Sequence, residues 1–351
     1  MYSAKKIVIS CSYANSIINF RGKLIEGIAK RNKVVLITPQ INDQQTLEKL
    51  QEWGISVFEI KLHPNKMAIL SDLKYLIKLW RIIRQTRPDI FFAYTIKPIC
   101  YGNFAAALCR IELVASMFTG LGFMFQNADS PTISQRLTYW LLKTGLNINK
   151  SRIVFFQNKD DRAEFLKMRI LNEHCPTRIV NGSGVELERF AYQKPDTSRI
   201  NFIMIARLLK SKGIREFFES ASLIKKKYKN VQFHLVGEYE KNGTDSIDDE
   251  LFMKIKTDQT IEYHGWVDDV RPFIINSSVM VLPSYREGVP RSILEAMAIG
   301  RPVITTDSIG CKETVVSGPE EINGFLVKLQ DIESLVNKME FFINNPDKII
   351  E

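Results

Sequence analysis

The sequence predicts an α/β protein of two domains, each built on a parallel β-sheet with crossover helices. Short apolar runs rich in β-branched and aromatic residues alternate with amphipathic helical stretches, and this alternation is typical of parallel sheets. The pattern loosens across residues 174–199, which are rich in Pro, Gly, Ser and Asn, and then restarts. A length of 351 residues also suits two domains better than one core. We therefore expect two Rossmann-like domains facing each other across a cleft, at residues 1–190 and 191–351.

The individual elements follow from the local hydrophobic period. In the first half the predicted strands are residues 5–10, 33–39, 55–61, 89–95, 112–118 and 151–158, and the predicted helices include 17–30, 68–86, 98–109 and 131–147. In the second half the predicted strands are residues 201–207, 231–237, 260–265, 279–284 and 302–307. Open α/β sheets bind ligands beyond the carboxyl ends of their strands. Functional residues are therefore expected in the segments that follow these strands.

Basic residues concentrate in the first half of the chain. The formal net charge is +9 overall. Residues 1–195 contain 28 Lys and Arg against 15 Asp and Glu, a net charge of +13, whereas residues 196–351 contain 20 against 24, a net charge of −4. A basic half indicates an anionic partner, which is either nucleic acid or an anionic membrane surface. Charge alone does not choose between the two.

Sequence signals for membrane insertion, secretion and disulfide formation are weak. No apolar run approaches the roughly 18–20 residues that span a bilayer, and the stretch MYSAKKIVISCSYANS lacks the apolar core of a secretory signal. The five cysteines are scattered without a CxxC pair, which indicates free thiols in a reducing compartment and no structural zinc site. We therefore expect a cytoplasmic protein.

The stretch REGVPRSILEAMAIGRPVITTD, residues 286–307, contains two carboxylates eight positions apart. It follows a predicted strand, and a helix is expected to begin near Pro290 because proline is favoured in a first helical turn. Glu287 then precedes the helix, whereas Glu295 lies in its second turn.

Backbone amides between the two carboxylates favour an anion. Gly288 and the amides of residues 289–292 lie at the predicted helix start, where N–H groups lack helical partners and the helix dipole is positive. A nucleoside diphosphate sugar fits this arrangement, with its phosphates at the helix start and its hexose and ribose hydroxyls on the two carboxylates. The alternative is a capping acid followed by a solvated helical Glu, and the spacing alone does not decide.

A second stretch, MIARLLKSKG, places two cations after a predicted buried strand. Arg207 and Lys212 would project from the strand end, and Gly213 opens the next helix. Cations at that position stabilise the charge that grows on a departing diphosphate. The alternative is a basic surface turn, with Lys210 and Arg215 as neighbours.

These stretches belong to an ordered set of blocks. IARLLKSKG is followed by HGWVDDV, VLPSYREGVPRSILEAMAIGRPVITTD, GCKETV and NGFLV. The set resembles the retaining GT-B glycosyltransferases of family four, whose signature is a Glu-x7-Glu pair after an LPS strand. The resemblance covers essentially the whole chain and is strongest from about residue 200 to 330. It implies a GT-B fold of two Rossmann-like domains.

The resemblance also implies roles for individual residues. Arg207 and Lys212 would bind the donor diphosphate, Glu287 the donor-sugar hydroxyls and Glu295 the ribose, with Glu287, Arg207 and Lys212 as the catalytic set. The implied donor site further includes Gly265, Gly288, Val289, Pro290 and Arg291. The family retains anomeric configuration by front-side attack, in which the departing phosphate takes the acceptor proton. It needs no metal ion and no cofactor besides the donor.

The first half is similar to acceptor domains of bacterial enzymes that add a hexose or N-acetylgalactosamine to a polyprenyl-diphosphate sugar. The stretches that carry this similarity are FFAYTIKPICYGNFAAAL and MFTGLGFMF. They imply acceptor or phosphate contacts by Arg21, Lys97, Thr119 and Gly120. We therefore expect transfer of an N-acetylhexosamine or hexose from a UDP-sugar to a polyprenyl-diphosphate-linked saccharide, in the biosynthesis of a bacterial capsule, O-antigen or glycoprotein glycan.

Two features of the first half suggest attachment to an anionic membrane surface. In residues 72–85, Lys74, Lys78, Arg81 and Arg84 form a basic stripe beside the apolar residues Tyr75, Leu76, Leu79, Trp80 and Ile83. The loop GLGFMF, residues 120–125, follows a predicted strand and carries three large apolar residues. The alternative for the helix is a crossover helix packed on its sheet. We expect peripheral association with the inner face of the cytoplasmic membrane and no nucleic-acid partner.

Several features depart from the family. CSYANS, after the first strand, has no glycine pair, and neither His63 nor His174 matches the histidine that many relatives place in the first domain. The chain ends at Glu351 without the helix that usually crosses back onto the first domain, so we expect a shortened form. Two other functions stay open: a GT-B-shaped nucleotide-sugar epimerase, which needs acid/base carboxylates and histidines around the sugar, and a basic nucleic-acid-binding protein.

Overall fold

Two separate parallel β-sheets organise the chain. A computed structural model describes residues 3–14, 16–62, 69–121, 125, 131–241, 243, 245–316 and 322–350. The chain divides into two units, of which the first comprises Met1–Thr119 with Met124–Ser183 and the second Gly120–Phe123 with Gly184–Glu351. Each unit contains one of the sheets, so the prediction of two Rossmann-like α/β domains is confirmed.

The first unit has a seven-stranded sheet in the order β3-β2-β1-β4-β5-β6-β7. Its strands are β1 Lys6–Ser10, β2 Lys33–Thr38, β3 Ser56–Glu59, β4 Ile90–Tyr94, β5 Leu113–Met117, β6 Arg152–Phe156 and β7 Thr177–Ile179. Its helices are α1 Ser16–Ala29, α2 Gln44–Glu52, α3 Ile69–Thr86, α4 Ile96–Leu108, α5 Ile133–Ile148 and α6 Lys159–Lys167. Most of its strand residues are buried, because helices cover both faces of a parallel sheet and apolar residues such as those of KVVLIT fit there.

The second unit has a six-stranded sheet in the order β10-β9-β8-β11-β12-β13. Its strands are β8 Asn201–Ile205, β9 Gln232–Val236, β10 Glu262–Gly265, β11 Val279–Leu282, β12 Val303–Thr306 and β13 Gly324–Val327. Its helices are α7 Ile214–Lys227, α8 Asp249–Thr257, α9 Arg271–Ile275, α10 Arg291–Ile299 and α11 Ile332–Asn344. Two three-residue 3₁₀ turns, Lys210–Lys212 and Lys312–Thr314, follow β8 and β12.

Every strand and helix predicted by range is present, and no end differs by more than two residues. Two strands were missed: β7, which lies in the Pro- and Gly-rich stretch expected to be a linker, and β13, which the sequence analysis quoted only as a motif. The division between the units lies at residues 183–184, a few residues before the predicted boundary of 190. Phe190 packs in the core of the second unit, which accounts for the difference.

Strand order reverses at one point in each sheet. In the first unit the reversal lies between β1 and β4, and in the second between β8 and β11. A crevice opens at such a point beyond the carboxyl ends of the strands. In the first unit this is the position of Thr95, which follows β4 with φ of +73° and donates through Oγ1 to Ser12 Oγ at 2.7 Å. In the second unit the segments that follow β8 and β11 carry Arg207, Lys212 and Glu287.

Arg301 connects three segments of the second unit. Its side chain is 2% exposed, and its guanidinium donates to four backbone carbonyl oxygens: Ser277 at 3.0 Å, Ile299 at 2.7 Å, Ile275 at 2.6 Å, and Gln193. Gln193 belongs to the segment that enters the second unit, whereas Ile275 and Ile299 end α9 and α10. The planar guanidinium, which has five N–H donors, therefore holds these segments together.

We predict that Arg301→Met destabilises the second unit, because methionine fills much of the space but leaves four backbone carbonyl groups without this donor. The free energy of unfolding should fall by about 3 kcal/mol or more, measured by urea denaturation. Arg215→Met is the matched control, since Arg215 makes only exposed ion pairs with Asp248 and Glu219 and should cost less than about 1 kcal/mol. Equal stability of the two variants would contradict the role of Arg301.

Candidate active site

Lys212 and Glu287 meet at the carboxyl ends of β8 and β11. The Lys212 Nζ atom lies 2.5 Å from Glu287 Oε1, although the two residues are 75 positions apart in the chain. Their side chains are 20% and 15% exposed, respectively. An ion pair that is partly buried in this way is stronger than a surface pair, yet solvent and ligands still reach it. The structure thus brings together two of the three residues predicted for catalysis.

Ser284 supports the pair from the end of β11. Its hydroxyl lies 2.9 Å from Glu287 Oε1 and 3.1 Å from the carbonyl oxygen of Ser211. A hydroxyl has one proton, so it donates to one of these oxygens at a time. The Ser284 carbonyl in turn accepts hydrogen bonds from the hydroxyls of Thr306 and Ser308, which follow β12. The sequence analysis did not identify Ser284, Thr306 or Ser308, because their roles depend on contacts between neighbouring strand ends.

Two glycines allow the backbone segments around the pair to approach closely. Gly213 has φ of +75°, and a Cβ on it would lie 2.2 Å from the carbonyl oxygen of Pro283. Gly310 has φ of +82°, and a Cβ there would lie 2.3 Å from the Glu287 carbonyl oxygen. The amide of Glu287 also donates to the carbonyl of Ile309 at 2.9 Å. No other residue type fits either position without movement of the backbone.

Glu295 lies in α10, and its side chain is largely buried. Its Oε1 atom is 2.8 Å from Arg291 Nε, an i,i+4 ion pair on one face of the helix. Burial raises the pKa of the Glu295 carboxyl above its ordinary value, and the neighbouring Arg291 charge opposes that rise. Oε2 has no hydrogen-bond or ion-pair partner among the residues that the structure describes. One carboxylate oxygen is therefore available to a ligand.

The start of α10 differs in one detail from the expectation. The helix begins at Arg291, and Pro290 is its N-cap rather than its first residue. Proline has no N–H group, so the predicted row of amides at residues 289–292 lacks a donor at position 290. The first-turn amides, such as those of Ser292 and Ile293, have no partner within the helix, and no side chain caps them. The positive helix end is retained.

Arg207 and Gly265 present open positions at the same edge of the sheet. Arg207 lies two residues after β8, is exposed, and its guanidinium makes no hydrogen bond or ion pair with any described residue. Gly265 ends β10 with φ of +70°, and no atom lies within 4 Å of the position of a Cβ. Val289 is half-buried. Gly120, which belongs to the second unit, has φ of +107°, and a Cβ on it would lie 2.7 Å from the Gly288 nitrogen.

The two basic residues predicted in the first unit are both buried. Arg21 lies within α1, and its Nη1 atom is 2.6 Å from Ser183 Oγ and 3.0 Å from the carbonyl of Phe20. Lys97 lies near the start of α4 and forms an ion pair of 2.6 Å with Asp72 of α3. The hydroxyl of Tyr101 donates to the other Asp72 oxygen at 3.1 Å. Their predicted role at the acceptor stays a prediction, and the structure adds that Asp72 already neutralises Lys97.

The predicted apolar loop at 120–125 is described only in part. Thr119 follows β5, whereas residues 122–124 lie outside the described residues, as does His63. Phe125 is buried, and its ring packs against Tyr139 and Phe165 at centroid distances of 5.0 and 5.3 Å. Phe125 is therefore a core residue of the first unit. His174 is exposed.

Helix α3 has two apolar faces. Tyr75, Leu79 and Ile83 are buried, as expected for a crossover helix on its sheet. A second set, Ile69, Leu70, Leu73 and Ile77, is exposed and alternates with the exposed cations Lys74, Lys78, Arg81 and Arg84. Helix α5 exposes Ile133, Leu137 and Trp140 in the same way. Helix α4 packs against both of these helices, so the exposed apolar residues belong to one helical layer of the first unit.

None of the described helices is long and apolar enough to cross a membrane. All five cysteines are free thiols, and four of them are buried.

Family comparisons agree with the order of the sequence blocks. Residues 199–345 match the family described as "Glycosyl transferases group 1", and residues 12–158 match "Glycosyl transferase 4-like". The first-named match spans all six strands of the second sheet, and the other spans β2 to β6 of the first sheet.

Similar curated proteins span nearly the same length. The chain is 26% identical over 347 residues to the N,N'-diacetylbacillosaminyl-diphospho-undecaprenol alpha-1,3-N-acetylgalactosaminyltransferase of Campylobacter jejuni, with 94% of this chain and 87% of that protein covered. It is 28% identical over 304 residues to the UDP-Gal:alpha-D-GlcNAc-diphosphoundecaprenol alpha-1,3-galactosyltransferase of Escherichia coli, with 82% and 74% covered. Both relatives are named for lipid-linked sugar acceptors, the class that the resemblance predicts.

Solved structures share the fold. Sucrose-phosphate synthase from Thermosynechococcus elongatus superimposes with a TM-score of 0.75 at 16% identity, covering 98% of this chain and 91% of that chain. HepE of Anabaena, solved with UDP and glucose, superimposes with a TM-score of 0.73 at 18% identity, covering 99% and 92%. These likenesses confirm the predicted GT-B fold. With both halves matched, the chain combines a glycosyl transferase 4-like first half with a glycosyl transferase group 1 second half, and it is a glycosyltransferase.

Proposed function

We propose that this protein transfers a hexose or N-acetylhexosamine from a UDP-sugar to a polyprenyl-diphosphate-linked saccharide in bacterial surface-glycan assembly. The transfer retains anomeric configuration and uses no metal ion. The observation that carries the proposal is the Lys212–Glu287 ion pair at the strand-order reversal, beside the start of α10. In this ion pair, Lys212 is a cation that can bind a diphosphate, and Glu287 is a carboxylate that can bind sugar hydroxyls.

Stabilisation of the leaving group is the main chemical task. As the glycosidic bond breaks, negative charge grows on the nucleoside diphosphate. Lys212, the exposed Arg207 guanidinium and the amides at the start of α10 place positive charge at one edge of the sheet. Fixed charges that await the leaving group lower the barrier without reorganisation during the reaction. In the proposed reaction this charge takes the role that a divalent cation plays in enzymes that stabilise a phosphate group with a metal ion.

The two carboxylates orient the donor. Glu287, held by Lys212 and Ser284, accepts hydrogen bonds from sugar hydroxyls. Glu295, fixed through Oε1 by Arg291, accepts hydrogen bonds from the ribose through Oε2. Since Glu287 precedes α10 and Glu295 lies in its second turn, the helix start with its amides lies between them in the chain. A donor contains a sugar, a diphosphate and a ribose in that order. The chain has Glu287, the start of α10 and Glu295 in the same order.

The acceptor assignment rests on the relatives and on the basic first half. Both relatives are named for undecaprenyl-diphosphate-linked sugars, which are membrane-bound anions. The exposed Leu, Ile and Trp side chains of α3 and α5, interleaved with Lys and Arg, suit the headgroup region of an anionic leaflet. We therefore assign the protein to the inner face of the cytoplasmic membrane as a peripheral enzyme, with no nucleic-acid partner.

The first test of the proposed function concerns the Lys212–Glu287 ion pair. In a screen of UDP-N-acetylgalactosamine, UDP-N-acetylglucosamine, UDP-galactose, UDP-glucose and GDP-mannose, we expect a UDP-sugar to be turned over with a polyprenyl-diphosphate-linked N-acetylhexosamine as acceptor. Lys212→Ala and Glu287→Gln should each lower kcat/KM by about 10²–10³-fold, because each removes a group that stabilises the leaving diphosphate or the sugar. Nucleotide release is the measurement.

Lys210→Ala is the matched control, because Lys210 lies in the same 3₁₀ turn and is exposed. Its activity should stay within about twofold of the parent, as expected for a surface substitution. Thermal unfolding of all variants shows whether they are folded under assay conditions. If no nucleotide sugar binds, or if Lys212→Ala and Glu287→Gln are as active as the control, the proposed function is wrong.

The second prediction concerns stereochemistry and metal ions. We expect the product to keep the anomeric configuration of the donor sugar, read from the proton coupling constant of the new glycosidic bond by NMR. The rate in EDTA should equal the rate in Mg²⁺ or Mn²⁺, because side chains and amides supply the positive charge. An inverted product would rule out the retaining assignment, and a rate restored only by Mg²⁺ or Mn²⁺ would rule out the metal-independent one.

The third prediction concerns the membrane. The protein should bind phosphatidylglycerol-containing vesicles more tightly than phosphatidylcholine vesicles, and Lys74→Glu with Lys78→Glu should weaken that binding by at least about tenfold. Vesicle flotation at fixed salt measures it. Lys226→Glu with Lys229→Glu changes the same charge at exposed positions of the second unit and should have little effect. Tight binding to duplex DNA without vesicle binding would instead favour a nucleic-acid partner.

A further inference from the structure

Three side chains that ligate metals lie together on the outer strands of the second sheet. His234 is in β9, and Glu262 and His264 are in β10, the edge strand. One candidate ligand atom from each residue lies within 4.8 Å of the others. The two imidazole side chains are each 18% exposed and the Glu262 side chain is 62% exposed, so the cluster can be reached from solvent.

Strand register explains why the three side chains share a face. Glu262 is the cross-strand partner of His234, and residues at i and i+2 of a strand point to the same side. Glu262 and His264 therefore lie on the side of His234. A register irregularity between Tyr263 and Gly265 places His264 opposite no partner residue of β9, and its ring stacks on that of His234 at a centroid distance of 5.4 Å. Such irregularities commonly redirect a side chain.

Two distances from His234 Nδ1 suit a shared metal ion. His234 Nδ1 lies 3.1 Å from His264 Nε2 and 3.4 Å from Glu262 Oε2. A tetrahedral zinc ion with bonds of about 2.0–2.1 Å places its ligand atoms about 3.3 Å apart. The His264 Nδ1 atom also lies 3.9 Å from Glu262 Oε1, so the carboxylate approaches both rings.

We propose that His234, Glu262 and His264 form a binding site for a divalent transition-metal ion of the zinc class. Two imidazoles and one carboxylate are a ligand set found in zinc sites, with water completing the coordination. Mg²⁺ and Ca²⁺ are excluded on chemical grounds, because they prefer oxygen ligands.

The ion would connect the edge strand to its neighbour. β10 pairs only with β9 in the described sheet, and it ends at Gly265, whose carbonyl accepts from the Gly237 amide at 2.8 Å. A metal bridging β9 and β10 adds a second connection at this edge and stabilises the folded state by linkage. The site lies on β9 and β10, apart from the Lys212–Glu287 pair at β8 and β11, and its existence does not depend on the proposed function. The proposal differs from the expectation, drawn from the cysteines, of no structural zinc site.

The test measures metal binding directly. Chelator-treated full-length protein carrying Cys109→Ser, which removes the half-buried thiol, is titrated with Zn²⁺ by calorimetry and by thermal unfolding. We expect one ion to bind per chain and the unfolding midpoint to rise with Zn²⁺ but not with Mg²⁺. His234→Asn and His264→Asn should each weaken binding by at least about tenfold, since loss of a supporting residue alone typically costs 10–100-fold. Co²⁺ in place of Zn²⁺ should give a visible absorption band in the parent that is lost in both variants.

His174→Asn is the matched control, because His174 is an exposed histidine outside the cluster, and it should bind Zn²⁺ as the parent does. Glu262→Gln changes an exposed side chain that should tolerate substitution, and it should also weaken binding, so the test does not depend on the half-buried histidines alone. Absence of saturable Zn²⁺ binding, or binding that survives His264→Asn and Glu262→Gln unchanged, overturns the proposal. Loss of metal binding with intact donor turnover leaves the proposed transferase function untouched.

Discussion

Contact between Lys212 and Glu287 depends on two places where one backbone segment passes another with no room for a side chain. Gly213 brings the turn after β8 against the carbonyl of Pro283, and Gly310 brings the segment after β12 against the carbonyl of Glu287. Between these contacts, Ser284 links β11 to both neighbouring turns through its hydroxyl and its carbonyl. The backbone contacts thus fix the positions of the two residues, so that their side chains lose little conformational freedom when they form the ion pair. That rigidity is what an active site for charge stabilisation requires.

The same arrangement lets the pair exchange partners when an anion arrives. A lysine drawn partly toward a diphosphate leaves Glu287 with less positive charge beside it. Ser284 can then donate its single proton to Glu287 rather than to the Ser211 carbonyl, since both acceptors are within reach. Because Arg207 has no partner among the described side chains, it adds positive charge without first breaking a contact. The proposed donor site therefore contains two cations with different tasks. Lys212 orients the Glu287 carboxylate that binds the sugar, and Arg207 binds the phosphate.

Sequence reasoning was strongest where a residue's role is set by its own strand or helix. The alternation of strands and helices predicted both sheets, and the position of Glu287 before α10 and Glu295 within it followed from the proline. Strand β7 was missed because its three residues lie in a Pro- and Gly-rich stretch expected to be a linker, and GFLV of β13 was quoted only as part of a motif. The contacts of Ser284 and Arg301 were also missed, since they join segments far apart in the chain and no local pattern encodes them. Helix α3 shows the same limit: its periodicity identified the buried face, whereas the exposed Leu and Ile residues became evident only from the packing of the helix.

The two lysines singled out after strand ends show how burial separates roles that sequence treats alike. Lys97 and Lys212 each pair with a carboxylate, at 2.6 and 2.5 Å. The side chains of Lys97 and Asp72 are only 9% and 3% exposed, and Tyr101 occupies the second carboxylate oxygen, so the charge is neutralised inside the helical layer. Removing one member of such a buried pair leaves an uncompensated charge and is strongly destabilising. A phosphate would reach Lys97 only by displacing the buried Asp72, whereas the Lys212 side chain is 20% exposed at the end of a strand. This difference in exposure favours a structural role for Lys97, which fixes α3 against α4. It favours ligand binding by Lys212.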